Sequence, residues 1–110
     1  MLREALPEII TETLPGPKAQ AILDRRHAVI PNAIGCVYPV VIERGAGAII
    51  EDVDGNRLLD WIGGVGVLNI GYSHPEVVRA VQEQAGRYFH AMFNVVTHEG
   101  YVALAEKLCT

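Results

Sequence analysis

The sequence predicts an α+β fold, with short antiparallel strands followed by helices. Two runs, Ala48 to Val53 and Arg57 to Ile62, flank Asp54-Gly55, a dipeptide favoured in the turn between paired strands. Val77, Val78, Val81 and Ala85 recur at helical spacing after Pro75 and predict a helix over 75–85 with one buried face. Between them, Asp60 to Pro75 carries Gly63, Gly64, Gly66 and Gly71, interleaved with Val65, Val67, Leu68 and Ile70. So many glycines predict a backbone that reaches left-handed angles or lets another group come very close. The apolar residues among them predict that this turn is buried and lines something, whether a ligand or another layer of protein.

Taken in order, residues 1–16 mix charge and apolar residues, then meet the breaker Leu14-Pro15-Gly16-Pro17, and read as a loosely ordered arm. Lys18 to Ala28 predicts a short helix with Pro17 at its first turn and Arg25 and Arg26 on its wet side. Pro31 to Gly35 is a turn. Cys36 to Glu43 is rich in β-branched residues but interrupted by Pro39, which places any strand there at a sheet edge. After the hairpin and glycine turn, Ser73-His74-Pro75-Glu76 has the form of a capping box that starts the next helix. Tyr88 to Val96 is apolar, aromatic and irregular. From Thr97, a suitable N-cap, Tyr101, Leu104, Ala105 and Leu108 mark a last helix. Nothing in the sequence closes that helix before Thr110, and the chain reads as an amino-terminal fragment. The domain organisation expected is 1–30 as arm and short helix, 31–74 as strands, hairpin and glycine turn, and 75–110 as helices.

Half of the 110 residues are hydrophobic and a fifth are charged, a globular composition. A net charge of −4 and a pI near 5.5 give no electrostatic reason to bind nucleic acid or an anionic membrane. Every apolar run is broken by glycine, proline or charge, so no transmembrane segment is predicted, and MLREALPEII lacks the apolar centre of a signal peptide. Cys36 and Cys109 form no C-x-x-C pair and read as free thiols of a reducing compartment, which points to the cytoplasm.

Chemistry-bearing motifs are sparse. Gly64 and Gly66 fit a dinucleotide fingerprint, but Asn69 stands at the third position and the helix starts only after Ser73. A P-loop is absent. His27, His74, His90 and His98 have no metal-ligand spacing, so no metal site is expected; His74 reads as a cap neighbour and His90 as a packed residue. Spacing alone leaves the function open.

The ordered run from Val40 through Pro75 nevertheless resembles a known family. It contains E-R-G-x-G, the strand–D-V-D-G-N–strand hairpin and D-W-x-G-G-x-x-V-x-N-x-G-x-x-H-P, and the likeness continues through Phe93-Asn94-Val95 into the last helix. This pattern resembles the amino-terminal region of class III aminotransferases, pyridoxal 5'-phosphate enzymes of fold type I. The resemblance implies a small-domain segment whose hairpin precedes a large cofactor domain. It implies a homodimer that passes an amino group between amino acid and oxo acid substrates, here 4-aminobutyrate and 2-oxoglutarate. Sister members act on ornithine, acetylornithine or diamines, and a non-catalytic remnant that binds a partner chain is the alternative of another class.

By the same resemblance Val65 faces the substrate. Ornithine-type members carry a tyrosine there, whereas valine offers no hydrogen bond and suits a plain methylene chain. Asn94 and Val95 match a second substrate-side segment. The family's Schiff-base lysine, its pyridine-nitrogen aspartate, its phosphate ligands and its carboxylate-binding arginine are expected beyond Thr110. Lys18 and Lys107, the only lysines, do not match the lysine context, and Arg25, Arg26 and Arg44 are not candidates for the missing arginine. The expectation is therefore substrate-binding residues Val65, Asn94 and Val95, with no catalytic, cofactor-binding or metal residue in this chain.

Overall fold

A computed structural model describes residues 1–110, which divide into two units, Met1–His74 and Pro75–Thr110. The first unit contains a single 3-10 turn at Leu2–Glu4, helix α1 (Pro17–Val29), strands β1 (Ile42–Ala46), β2 (Ile49–Asp52) and β3 (Arg57–Leu59), and the one-turn element α2 (Gly63–Gly66). The second holds α3 (Pro75–Ala85) and α4 (Glu99–Cys109). This is the α+β class that the sequence predicts. No helix is long and apolar enough to cross a membrane.

The sheet is antiparallel in the order β1-β2-β3. β2 pairs with β3 through Ile49↔Leu59, Ile50↔Leu58 and Glu51↔Arg57, the hairpin expected around Asp54-Gly55. β1 pairs with β2 through Arg44↔Glu51, Gly45↔Ile50 and Ala46↔Ile49, with an irregularity between Ile42 and Arg44. Of Cys36 to Glu43 only the end is strand: residues 36–41 form none, the sheet starts at Ile42, and β1 lies at its edge. Pro39 lacks the donor that a ladder needs there, while Arg44 and Glu51, facing each other in the register, close a two-point ion pair with Nε–Oε1 of 2.8 Å and Nη2–Oε2 of 3.1 Å. The E-R-G segment consequently lies inside the first strand.

Apolar burial in the first unit is slight. Ala19, Leu23 and Ile49 are its buried hydrophobic residues, and they are joined by two fully enclosed polar ones, Asp52 and Asn56. Those two organise the hairpin turn. Asp52 Oδ1 accepts from the backbone N–H groups of Asp54 (2.9 Å) and Asn56 (2.8 Å), and Asp52 Oδ2 accepts from Asn56 Nδ2 (2.8 Å). Asn56 Oδ1 then accepts from Ile10 N (2.8 Å), Thr11 N (3.1 Å) and Thr11 Oγ1 (3.0 Å). Asp54 turns the other way and caps α1, accepting from Lys18 N (2.9 Å) and Ala19 N (2.8 Å) where Gly16 has no side chain to do so. One five-residue turn thus ties down the arm, the first helix and the sheet.

The arm is accordingly not loose. Glu8 and Arg57 exchange both backbone hydrogen bonds and pair through their side chains, extending the sheet by one bridge. Partners this distant in sequence leave no local pattern to read.

In the second unit α3 spans the predicted residues 75–85. Its valine face is not buried by this chain: Val77, Val78 and Val81 are all exposed. The last helix is capped by His98, not by Thr97. His98 Nδ1 accepts from Tyr101 N at 3.3 Å, and its ring lies 6.0 Å from both Tyr88 and Tyr101, so aromatic packing selects the cap position. Cys36 and Cys109 are free and exposed.

If the polar turn is the true core of the first unit, Asn56→Ala strips a buried carboxylate and two arm N–H groups of their partner. The loss expected in urea unfolding is about 1–3 kcal/mol, the usual scale for buried groups left unpaired. A loss comparable to that of a surface substitution, below roughly 0.5 kcal/mol, contradicts this account.

Candidate functional site

The glycine turn leaves β3 at Asp60, and the side chain of Asp60 folds it back. Asp60 Oδ1 accepts from Ile62 N (2.9 Å) and Gly63 N (3.0 Å), and Oδ2 accepts from Gly64 N (2.8 Å). The fourth donor is the Tyr72 hydroxyl, 2.8 Å from Oδ2. Tyr72 is itself fixed to the end of the β1–β2 hairpin: its N–H donates to Gly47 O at 2.7 Å and its carbonyl accepts from Gly47 N at 3.0 Å. Two glycines make room for this. A Cβ on Gly45 would stand 2.7 Å from the Tyr72 ring, and one on Gly71 would stand 2.6 Å from the Gly47 carbonyl oxygen. Arg3 closes the far side by donating to Tyr72 O at 3.2 Å.

The charge of Asp60 follows from these contacts. The Tyr72 hydroxyl above all, and then the N–H groups of Gly64, Ile62 and Gly63, hold its carboxyl below the ordinary range against the opposing effect of burial. Burial pushes the Tyr72 hydroxyl up, helped by its hydrogen bond to Asp60 and by the Asp60 charge. At neutral pH the pair is a carboxylate and a neutral phenol, the combination in which all four donors are satisfied.

Beyond Asp60 the backbone turns left-handed over four consecutive residues. φ is 60° at Gly63, 61° at Gly64, 64° at Val65 and 76° at Gly66. The turn closes by Gly66 N donating to Ile62 O at 3.0 Å and Val67 N to Gly63 O at 3.0 Å, so α2 is helical in hydrogen bonding but of the opposite hand at its centre. Three of the four residues are glycines, for which this hand carries no steric penalty. Val65 is the exception, a β-branched residue at φ 64°, ψ 49°. Such a conformation costs on the order of 1–3 kcal/mol. A hydrogen bond to a charged group contributes about 1.5–3 kcal/mol, so the several that Asp60 accepts offset it.

The consequence is the position of the Val65 side chain, which is 83 % exposed. The residues of this chain do not themselves bury the turn. Val65, Val67 and Ile70 are exposed, because the left-handed turn directs its hydrogen bonds inward to Asp60 and leaves these side chains outside. A cavity of about 300 Å³ lies beside the turn, lined among others by Ala48, Asp60, Gly63, Leu68 and Tyr72.

Asn94 and Val95 belong to the second unit. They follow Met92, whose φ is 44°, in a turn closed by Val95 N donating to Met92 O at 2.7 Å; both side chains are exposed. A cavity of about 580 Å³ is lined by Arg87, Tyr88, Phe89, Phe93 and His98 of this unit. The three expected residues are therefore divided between the units, Val65 in the first and the other two in the second. His90 is exposed, not packed.

Arg44 is committed to Glu51, and Arg26 donates to the carbonyls of Ile34 and Gly35. Lys18 and Lys107 are exposed near the start of α1 and the end of α4. Asp60 and Tyr72 are the residues that sequence reasoning passes over. An aspartate just ahead of Gly-Gly is a signal for Asp60, since short acidic side chains bind nearby backbone N–H groups. Tyr72 carries no such signal.

Comparison with known proteins places this arrangement. Residues 32–110 match the class-III aminotransferase family. The chain is 47% identical over 100 residues to 4-aminobutyrate aminotransferase of Mycobacterium tuberculosis, covering 91% of this chain and 22% of that protein. It is 43% identical to 5-aminovalerate aminotransferase of Pseudomonas aeruginosa, over 81% of this chain and 21% of the relative. Among solved structures, N-acetylornithine aminotransferase from Stenotrophomonas maltophilia superposes with a TM-score of 0.64 at 34% identity, over 78% of this chain and 21% of that one. The chain thus spans about a fifth of the length of the proteins it matches. The family implies pyridoxal 5'-phosphate; both lysines are exposed near helix ends, and Arg26, Arg44 and Arg57 are held by carbonyls or carboxylates of the chain itself.

Because its pKa is depressed, Asp60 adds stability above the ordinary aspartate range, near 3.9, and loses it as pH falls through its folded value. Tyr72→Phe removes the largest cause of the depression. The Asp60 carboxyl resonance is then expected to titrate at higher pH, with a smaller acid-sensitive part of the stability. An unchanged titration contradicts the clasp.

Proposed function

The chain belongs to the class III aminotransferases, and from that premise we propose that it is the amino-terminal part of an enzyme passing an amino group from 4-aminobutyrate to 2-oxoglutarate. The observation that carries this reading is Val65, an apolar side chain held outward by a strained turn that hydrogen bonds keep in place. A side chain without donor or acceptor accepts a methylene chain and gives nothing to a second polar group, which separates a plain ω-amino acid from ornithine. Asn94 and Val95 of the second unit are proposed as substrate-binding residues on the family resemblance alone. A longer ω-amino acid is the second reading, favoured by the likeness to a 5-aminovalerate aminotransferase.

In this reading pyridoxal 5'-phosphate is the cofactor that the family implies. The role of this chain is to shape the pocket and exclude water from it. The apolar face of α3 supports a place in a homodimer or against a larger domain, since exposed valines on one helix face are poorly tolerated in water. The net charge of −4 speaks against nucleic acid or an anionic membrane as partner, and two free exposed thiols are in keeping with the cytoplasm.

The whole enzyme, supplied with 4-aminobutyrate and 2-oxoglutarate, is expected to form glutamate and the aldehyde left by the donor. Val65→Tyr is expected to lower kcat/KM for 4-aminobutyrate by roughly 10–200-fold, the range for reshaping an apolar pocket, and to favour a donor with a second amine. Equal kinetics in Val65→Tyr and the wild type return Val65 to a packing role. The 110-residue chain alone, with the same reagents and the cofactor, is expected to form no glutamate and no borohydride-trapped adduct on Lys18 or Lys107.

A further inference from the structure

Val65 is unusual in that a residue chosen for its contact outward is held in a backbone conformation that its own side chain disfavours. Left to itself, a valine leaves the left-handed region, and the turn with it. The groups that prevent this are identifiable. Ile62, Gly63 and Gly64 donate to the Asp60 carboxylate, and Tyr72 completes that carboxylate's shell. Tyr72 in turn is immobilised by two backbone bonds to Gly47 and by the hollow over Gly45. The chain of contact therefore runs from the sheet edge, through a phenol and a carboxylate, to the backbone on which Val65 stands.

We propose that Tyr72 and Asp60 are positioning residues for substrate selection: together they fix the left-handed turn and so the place of the Val65 side chain against the donor's carbon chain. The proposal rests on the reading of Val65 as a substrate-facing residue. Tyr72 touches no substrate in this account; it acts through Asp60 and the turn. Its hydroxyl is the replaceable part. In Tyr72→Phe the ring still fills the hollow over Gly45 and the backbone bonds to Gly47 remain, while Asp60 keeps three donors out of four. The fold has no reason to fail, but the turn gains freedom.

The test compares kcat and KM of the whole enzyme for 4-aminobutyrate and 5-aminovalerate in Tyr72→Phe, Val65→Tyr, Val65→Gly and the double variant Tyr72→Phe/Val65→Gly. Tyr72→Phe is expected to raise KM for 4-aminobutyrate roughly tenfold with a smaller change in kcat, and to shift the preference between the two donors. Glycine needs no clasp to be left-handed. In the Val65→Gly background Tyr72→Phe is therefore expected to change the preference by no more than about twofold, the non-additivity that marks residues acting through one another. Asp60→Asn, which keeps the shape and removes the charge, is expected to move preference in the same direction as Tyr72→Phe and serves if that variant is poorly folded. A shift of equal size with valine or glycine at position 65 overturns the proposal and leaves Tyr72 a general stabiliser. No shift in Tyr72→Phe while Val65→Tyr alters preference overturns it too, with the reading of Val65 intact. If Val65→Tyr itself alters nothing, that reading fails and the proposal falls with it.

Discussion

The glycine turn depends on one carboxylate having enough donors. Asp60 sits where the chain leaves the sheet, and three successive N–H groups and a phenol converge on it. A charged oxygen pair gathers backbone donors more strongly than a neutral acceptor does, and here that attraction sets the hand of the turn. The sequence Gly-Gly-Val-Gly makes the left-handed path inexpensive at three residues, and the carboxylate offsets the strain at the fourth. Tyr72 extends the constraint to Gly47, so the turn is referenced to the edge of a sheet and not left as a free loop. The same device recurs at the hairpin, where Asp52, Asp54 and Asn56 gather N–H groups from the turn, the helix and the arm. In place of a large apolar core, the first unit is held by short polar side chains that each satisfy several backbone donors.

What the sequence revealed follows the same division. Local signals were legible. Asp54-Gly55 marked the hairpin, the glycines at 63, 64, 66 and 71 all have positive φ, and the periodic valines gave α3 its observed bounds. Signals that depend on distant pairing were not. Nothing near Glu8 announces Arg57, nothing near Ile10 announces Asn56, and Tyr72 gains its meaning only when Gly47 is opposite it. The extent of the first strand was hidden for a related reason: Pro39 denies the ladder to the β-branched residues before Ile42, and glycine at position 45, which leaves room for the Tyr72 ring, is a weak strand signal.

Burial was less legible still. Apolar residues between glycines suggested an interior, yet Trp61, Val65 and Val67 are among the most exposed side chains of the chain. Hydrophobicity in a sequence says that a side chain gains by leaving water, but not which surface it meets. At Val65 the proposed surface is a substrate's methylene chain. Along α3 it is further protein. The candidate site was thus half legible: resemblance drew attention to Val65, while the reason that this valine is where it is, the clasp by Asp60 and Tyr72, emerged only from the folded arrangement.

In the proposed reading Val65 is held left-handed so that it meets the substrate. A crystal structure of the whole enzyme with an unreactive 4-aminobutyrate analogue tests it most directly. φ of Val65 is expected to remain positive, the Asp60–Tyr72 bond to be present, and the valine methyls to lie within about 4–4.5 Å of the analogue's methylene carbons, the range of apolar contact. A Val65 side chain covered by protein, with the analogue's chain lying against other residues, contradicts it.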